Sequence, residues 1–569
     1  MRVLEDDGGG ARNLSWSFCV LGAAALAMLW FVTLGNSILT EPDEARYAEI
    51  PREMLVSGDW VTPRLDGIVY FEKPPLQYWI TALGYATFGV QPWVSKLWTW
   101  LSSFLGILVA AFAGARLFNW RVGLLAGLVL ASSPLYFVVG HLNTLDSGLT
   151  LFMGAALAAF LLAKSPAEGT RQRRLWMLAA WIATAMAVLS KGPVAVFIPL
   201  ASLVCYVLVT RDRSVLRALE PVAGGMLFIL ICAPWFILVA RRNPDFTRFF
   251  FVHEHVTRFL TSEHGRIKPW WFFPILLVFG LVPWTGTVSQ AWYRALRERA
   301  GQAFSIEKFL AIYAAVVLVF FSLSGSKLAP YLDPIVPPLA LLAAASIERQ
   351  PREQARMIRV FTWLGAALLV AAVPVMTVKL RGSPEFQESQ HFTPWLFATA
   401  ATWCVGAGLA MALAERRRIY SSAVAVAAGL ILGLQLTMSG LREFSATRSA
   451  EPVVKALRTQ VGTGTTIYSI GGYLQGIPFD LKRTVTVVGQ QGDLEVQLEP
   501  QSRNWVPSMR DFAERWNREL HPVAVIDRQA WKYVEPLGLP METFYADDQT
   551  VLIRKDTRLS KAAGAGRGD

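Results

Sequence analysis

Apolar residues in this chain run in blocks of about 20, the length an α-helix needs to cross a bilayer, separated by short polar connectors. About 13 such blocks begin near Ser15, Trp93, Val122, Ser147, Leu175, Val194, Leu219, Trp271, Phe309, Tyr331, Val360, Trp395 and Ser421. Several contain proline, and the short connectors make neighbouring helices antiparallel. The pattern predicts an all-α polytopic membrane domain over residues 1–441. Beyond it the pattern changes: Glu451–Thr459 and the amphipathic Met509–Leu520 predict helices. Thr465–Ile470, Thr484–Val488, Pro522–Ile526 and Thr550–Ile553 predict strands. Strands alternating with helices predict a small C-terminal α/β domain over residues 442–569, lying on the membrane surface and ending in a disordered Gly/Ala-rich tail.

Composition excludes a soluble globular protein: 53% of residues are hydrophobic and only 17% charged. A net charge of +12 raises the question of a nucleic-acid partner. The cations instead occupy every second connector, including Arg116 and Arg121, Arg171 to Arg174, Arg294 and Arg297, Arg349 to Arg359 and Arg416 to Arg418. The positive-inside rule accounts for them without nucleic acid. It places the N-terminus in the cytoplasm, and the remaining connectors and the C-terminal domain outside it. The first block has no clear cleavage site and reads as a retained span. The four cysteines lie in apolar blocks without ligand spacing and read as buried hydrophobes. No Walker loop, no GxGxxG after a strand and no HExxH occurs; GGYLQG at residues 471–476 has glycines but nothing else a phosphate loop requires.

The connector after the first block is different. Residues 41–92 form an outer loop, and its stretch TEPDEARYAEIPREMLVSGDWVTPRLDGIVYFEKPPLQYW carries eight carboxylates against four cations. Carboxylates at a membrane edge are costly unless they face water or a substrate, so this loop is the candidate active-site lip. PDEARYAEIPREM predicts a helix opened by Pro42 and Asp43, with Asp43, Arg46 and Tyr47 on one face. The plain alternative is a surface helix with local charge pairs. Glu72 and Lys73 precede Pro74 and Pro75, whose fixed φ makes a rigid turn. A lysine held there can bind phosphate as a point charge, or snorkel to lipid headgroups.

Other outer connectors add polar groups. HLNTLDSG puts Asp146 at the start of the fourth span, either as a helix cap or as a functional group. SKGPV brings Lys191, SGSKLAPYLDPIVPP brings Lys327 and Tyr331, and FFFVHEHVTRF brings His253, Glu254, His255 and Arg258. The topology sends all of them to the same side. Arg46, Lys73, Lys191, Arg258 and Lys327 suit a phosphate. Asp43, Glu72 and Asp146 suit a base, a metal ligand or an orienting group.

The motifs EPDEARYAEIPREM, GDWVTPRLDGIVYFEKPPLQYW, HLNTLD, SKGP, FFFVHEHVTRF and SKLAPYLDPIVPP together resemble the bacterial aminoarabinose transferases, which share the C-type glycosyltransferase fold with protein O-mannosyltransferases. The likeness covers the membrane portion end to end. It implies an enzyme of the bacterial inner membrane, with its active site and C-terminal domain periplasmic. Such an enzyme moves 4-amino-4-deoxy-L-arabinose from undecaprenyl phosphate to lipid A phosphate groups and confers polymyxin resistance. By motif, Asp43, Glu44, Arg46 and Asp146 are the catalytic set. Lys73, Arg258 and Tyr331, with Tyr47, Lys191 and Lys327, are the donor-phosphate set. Glu72 and His253 are placed like a metal pair for zinc or magnesium, which one carboxylate and one imidazole leave incomplete; no cofactor is required. The expected partners are the lipid-linked sugar, lipid A and membrane lipids, with the protein a monomer. The alternatives are another polyprenyl-phosphate-sugar glycosyltransferase, acting on a protein or polysaccharide, and a lipid or sugar transporter. The absence of an inverted repeat and the scarcity of mid-span ionisable groups weigh against transport.

Overall fold

Each apolar block folds as a helix or a bent pair of helices in the computed structural model. It describes residues 10–36, 38–165, 168–257, 268–298, 304–380, 392–416, 418–445, 448–462, 464–489 and 504–556. The Gly/Ala-rich tail lies outside the described residues. Among them, eight helices are long and apolar enough to cross a membrane, and two bent pairs bring the number to ten. The block at Val122 is one such pair: α5 (Trp120–Ala131) and α6 (Pro134–His141) meet at 63°. Pro134 has no N–H for the ladder, so the helix restarts there. The pair at Trp271, Phe272–Gly280 and Thr285–Arg297, turns through 119° around Val282–Pro283 for the same reason. The blocks at Leu175 and Val194 are helical but more polar or shorter than those eight.

Contacts divide the chain into two compact units, one of Met1–Ser37, Lys96–Cys232 and Thr257–Arg442, the other of Ile38–Ser95, Ala233–Val256 and Glu443–Asp569. The first is a helical bundle. Its α1 (Gly10–Phe31), α4 (Pro92–Leu117), α6 and α18 (Ile419–Ser445) are joined by a buried polar chain. The Trp30 indole donates to the Trp100 carbonyl (3.1 Å), and the Trp100 indole to the His141 carbonyl (3.1 Å). Gln435 donates to the Leu29 carbonyl (2.7 Å) and accepts from Thr33 (2.8 Å). In a bundle without a hydrophobic drive between helices, such bonds and close small-residue crossings fix the packing. Gly406 on α17 (Thr393–Glu415) shows the second: a Cβ there would lie 2.9 Å from the Gly429 Cα on α18. Cys205 and Cys404 are only half-buried, whereas Cys232 is buried as expected.

The second unit joins the first polar loop to the C-terminal domain. The domain is a six-stranded sheet in the order β5-β4-β3-β6-β8-β7. Its strands are β3 (Ile467–Ile470), β4 (Thr486–Val488), β5 (Trp505–Val506), β6 (Val523–Asp527), β7 (Met541–Ala546) and β8 (Thr550–Lys555). The first four strands in that order pair in parallel, and β8 and β7 run antiparallel. Alternation along the strands builds two cores. Tyr468, Ile470, Ala524, Ile526, Val551 and Ile553 pack with Phe512 and Trp516 of α21 (Met509–Arg518). Ile467, Val523, Val525 and Leu552 pack with Val453, Val454 and Leu457 of α19 (Glu451–Arg458) and Ile477 of α20 (Gly476–Leu481). Every strand and helix expected here is present; β5, β7 and α20 are additional.

The loop begins with α2 (Asp43–Ser57), followed by a hairpin of β1 (Arg64–Leu65) and β2 (Ile68–Val69), and by α3 (Leu76–Phe88). Asp66 (φ 59°) and Gly67 (φ 75°) make the hairpin turn, both in the left-handed region that an Asp-Gly pair tolerates. A side chain on Gly67 would also sit 2.7 Å from the Asn504 amide. Carboxylates tie this loop to the domain. Glu41 accepts from the Gln475 and Gly476 N–H groups (2.9 and 2.6 Å) at the N-terminal end of α20. Asp66 accepts from the Val485 N–H (2.8 Å), and Asn504 donates to the Asp66 carbonyl (2.9 Å). Glu53 accepts from the Asp66 and Gly67 N–H groups (2.5 and 2.9 Å) and so shapes the turn. Phe479 of α20 packs against Tyr85, Ala45 and Ala48. The domain expected as a separate surface body is therefore continuous with the loop.

Burial pushes the Glu41 carboxyl from 4.5 up to about 7, against the pull of the Gly476 and Gln475 N–H groups and of Arg46. Burial, with Glu53 and Glu49 nearby, also raises Asp66 well above the carboxylate range. A carboxyl whose pKa is higher folded than unfolded binds its proton more tightly in the folded state. Its contribution is complete below pH 4.5 and is lost as pH rises through about 7 for Glu41. Thermal melts of the detergent-solubilised protein, read by tryptophan fluorescence, should show stability falling across that window. Glu41→Gln and Asp66→Asn should each flatten the slope. Glu41→Ala strands two buried N–H groups and should cost about 1–3 kcal/mol for each one.

Candidate active site

In the second unit, Asp43 is the first residue of α2, and its side chain is 41% exposed. One turn on, the Arg46 guanidinium lies 3.7 Å from the Asp43 carboxylate, as the i, i+3 spacing requires. Arg46 is buried, donating to the Gln475 side chain (2.9 Å) and the Tyr70 hydroxyl (3.3 Å), with its charge 5.8 Å from the Tyr70 ring centre. Tyr47 is buried and stacks on Tyr78, ring centres 6.4 Å apart. Burial, with Asp43 beside it, raises the Tyr47 phenol well above its ordinary value, so it stays a hydrogen-bond donor. Glu44 is the other acid of the expected catalytic set. It is buried, and its Oε2 accepts from the Thr40 N–H (3.0 Å) and hydroxyl (2.7 Å), which closes the start of α2. Of the adjacent acids, only Asp43 is open to solvent.

Lys73 sits on the turn before α3, nearly buried, and its ammonium is bonded to Glu254. Glu254 belongs to a π-helical segment, Arg248–Thr257, a rare form that recurs at functional sites. This partnership across 181 residues was not foreseen. The only local signal was a carboxylate between two histidines after an aromatic run. Glu72 is buried, and His253 stacks on Phe249, ring centres 5.2 Å apart. Among the described residues, no group of three or more His, Cys, Asp or Glu side chains is arranged to hold a metal ion. Glu72 and His253 supply two candidate ligands, and no chemistry is derived through a metal. Arg258 lies outside the described residues.

The first unit carries a second cluster. Asp146 opens α7 (Asp146–Lys164), and Lys191 closes α8 (Thr170–Lys191). The helices are antiparallel neighbours, so the start of one meets the end of the other, and the Lys191 ammonium is bonded to Asp146. Asp146 makes no side-chain capping bond; the cap position is Leu145. Lys191 also lies over the Tyr331 ring, 4.4 Å from its centre, a cation–π contact. Lys327 stands apart from this group: it is buried and donates to the Ser324 carbonyl of its own loop (2.6 Å). Sequence reasoning passed over Asp333, two residues after Tyr331 in YLDPIVPP. It is buried and within electrostatic reach of Asp146 and Lys191. An acid amid prolines at the mouth of a span was the available signal.

Each unit thus offers lysine ammonium groups held ready by carboxylates, and one offers an accessible carboxylate beside a buried arginine. Such groups can hold a phosphate and stabilise charge that develops on it.

Comparison with known proteins agrees with this chemistry. Residues 18–250 match the dolichyl-phosphate-mannose-protein mannosyltransferase family, and residues 453–555 the aminoarabinose transferase C-terminal domain. The chain is 30% identical to the undecaprenyl phosphate-α-4-amino-4-deoxy-L-arabinose arabinosyl transferase of Erwinia tasmaniensis, over 88% of this chain and 91% of that one. It is 34% identical to the protein of the same name in Pseudomonas aeruginosa, over 69% and 71%. The crystal structure of ArnT from Cupriavidus metallidurans bound to undecaprenyl phosphate superposes with a TM-score of 0.88 at 32% identity, covering 95% of this chain and 98% of that one. An archaeal oligosaccharyltransferase, AglB from Archaeoglobus fulgidus, shares the fold at 14% identity and a TM-score of 0.54. With that identity sustained along nearly the whole length of its relatives, the chain belongs to the aminoarabinose transferase family.

Proposed function

We propose that this protein is an integral-membrane glycosyltransferase that moves 4-amino-4-deoxy-L-arabinose from undecaprenyl phosphate to phosphate groups of lipid A. The modification makes the cell surface less anionic and protects against polymyxin and other cationic peptides. The observation that carries this reading is the match, over 95% of the chain, to a relative crystallised with undecaprenyl phosphate. The basic connectors support a site and a C-terminal domain on the periplasmic side of the inner membrane.

In the reaction, an oxygen of the acceptor phosphate forms a bond to the anomeric carbon of the sugar. The bond from that carbon to the carrier phosphate breaks, and undecaprenyl phosphate leaves with the electron pair. Catalysis then consists of stabilising negative charge on the leaving phosphate and orienting the acceptor. Lys73 is the primary cation for the carrier phosphate, and Glu254 holds it in place before the substrate arrives. In the first unit, Tyr331, Lys191 and Lys327 are candidates for binding a phosphate, as by motif is Arg258. An acceptor phosphate is already anionic and needs little base catalysis, so Asp43 mainly positions the acceptor, the sugar amine or Arg46. The match of residues 18–250 to mannosyltransferases supports a second reading, transfer to a hydroxyl, in which Asp43 would be an indispensable base.

Mass spectrometry of lipid A from a polymyxin-sensitive strain lacking its own transferase tests the reading. Expression of the wild-type chain should add an aminopentose to lipid A; a well-expressed chain that adds none while donor lipid is present would refute it. Lys73→Ala should lower turnover about 10²–10³-fold, as loss of a charge-stabilising donor does. It also removes the ammonium bonded to the buried Glu254, a cost of about 3–5 kcal/mol. The double variant Lys73→Met with Glu254→Gln should recover membrane levels without recovering transfer, which separates the catalytic loss from the folding loss. Asp43→Asn should retain measurable transfer if Asp43 positions, and none if it is the essential base.

A further inference from the structure

Gln475 joins two contacts of the second unit. It holds the N-terminal cap position of α20, where Ser, Thr, Asp or Asn ordinarily accepts the first N–H groups with its own side chain. The Gln475 side chain makes no such bond. Glu41 receives the N–H groups of Gln475 and Gly476 instead (2.9 and 2.6 Å), so the loop supplies the cap. The side chain of the cap residue is thereby released for another use. It is buried, and its Oε1 accepts from Arg46 Nε (2.9 Å) across 429 residues of sequence. Arg46 Nη1 donates to the Tyr70 hydroxyl (3.3 Å). A guanidinium is a flat fork, and holding Nε together with Nη1 fixes its plane and its direction.

We infer that Gln475 is a positioning residue for the transfer reaction, setting through Nε the orientation in which Arg46 meets the acceptor phosphate. The inference rests on the reading given under Proposed function, in which the groups presented by α2 orient that phosphate. An arginine binds phosphate well only when its N–H groups point at the oxygens. A side chain left to rotate must be ordered by the substrate itself, which costs binding and rate. The neighbour on its own helix does not hold Arg46 in this way, because Asp43 lies 3.7 Å off, beyond hydrogen-bond length. The acceptor for Nε comes from the C-terminal domain, on backbone that Glu41 anchors. One amide side chain thus links the domain after the last span to the groups of the candidate site.

The test uses the full-length protein in lipid nanodiscs, with lipid A as acceptor and undecaprenyl-phosphate-linked aminoarabinose as donor. Gln475→Met keeps the side-chain length and the backbone N–H that Glu41 receives, and removes the acceptor. It should melt with the wild type and lower kcat/KM about 10²-fold, the loss that misplacing a group from outside the reacting centre can cause. Gln475→Glu keeps an oxygen at the same reach and should recover most of the transfer. Arg46→Lys keeps a charge but has no Nε–H, so Gln475→Met should add no further loss in that background. If Gln475→Met melts below the wild type, Gln475→Asn, one methylene too short to reach Arg46, replaces it with the same expected loss. Wild-type kcat/KM in the folded variant, equal losses in Gln475→Met and Gln475→Glu, or additive losses with Arg46→Lys would overturn the inference alone. A wild type that binds undecaprenyl phosphate yet transfers no sugar to lipid A would instead defeat the functional reading and this inference with it.

Discussion

Glu41 reaches from the first polar loop to the N-terminal end of α20, where two backbone N–H groups receive its carboxylate. A helix start concentrates unsatisfied donors and positive potential, and an acid placed there satisfies both itself and the helix. The rest of the second unit depends on this contact and on two others like it. Glu53 holds the Asp66–Gly67 turn from inside, and Asp66 in turn receives the Val485 N–H. The loop that presents Asp43, Arg46 and Lys73 therefore gains its shape from the domain that follows the last span. This gives the C-terminal domain a physical role without any chemistry of its own. GGYLQG, which looks like a poor phosphate loop, is an anion site whose anion is the side chain of Glu41.

The same constraint operates at the candidate site. A lysine ammonium in a poorly hydrated place is costly without a counter-charge, and a neighbouring carboxylate supplies one. Lys73 has Glu254 and Lys191 has Asp146, while Arg46 is fixed by Gln475, Tyr70 and Asp43. These cations are therefore oriented before any phosphate arrives, which is the preorganisation that electrostatic catalysis requires. The arrangement also couples function to stability, because removing one member of a buried pair exposes the other to the full desolvation penalty.

The apolar blocks and the basic connectors were legible because they follow from composition and local period, which every residue reports independently of its distant neighbours. The helix over α2, the face shared by Asp43 and Arg46, and the strands of the C-terminal sheet belong to the same class. They need only the 3.6-residue or two-residue period and a starting proline. The bends at Pro134 and Pro283 were visible as residues, and their angles were not, since a missing N–H permits a break without setting its direction.

What only the tertiary structure decided is which charge meets which. Glu44 and Asp43 are adjacent and chemically alike, yet one is buried against Thr40 and the other open to solvent. Lys73 meets Glu254 across 181 residues, and Glu41 meets Gly476 across 435. Such pairings leave no period in the chain. They arise when helices and loops pack, and low dielectric then penalises every buried charge without a partner. The sequence alone determined the elements, the membrane-spanning pattern and the residue types able to do phosphate chemistry. The fold chose their partners, and with them which carboxylates support the structure and which remain for a substrate.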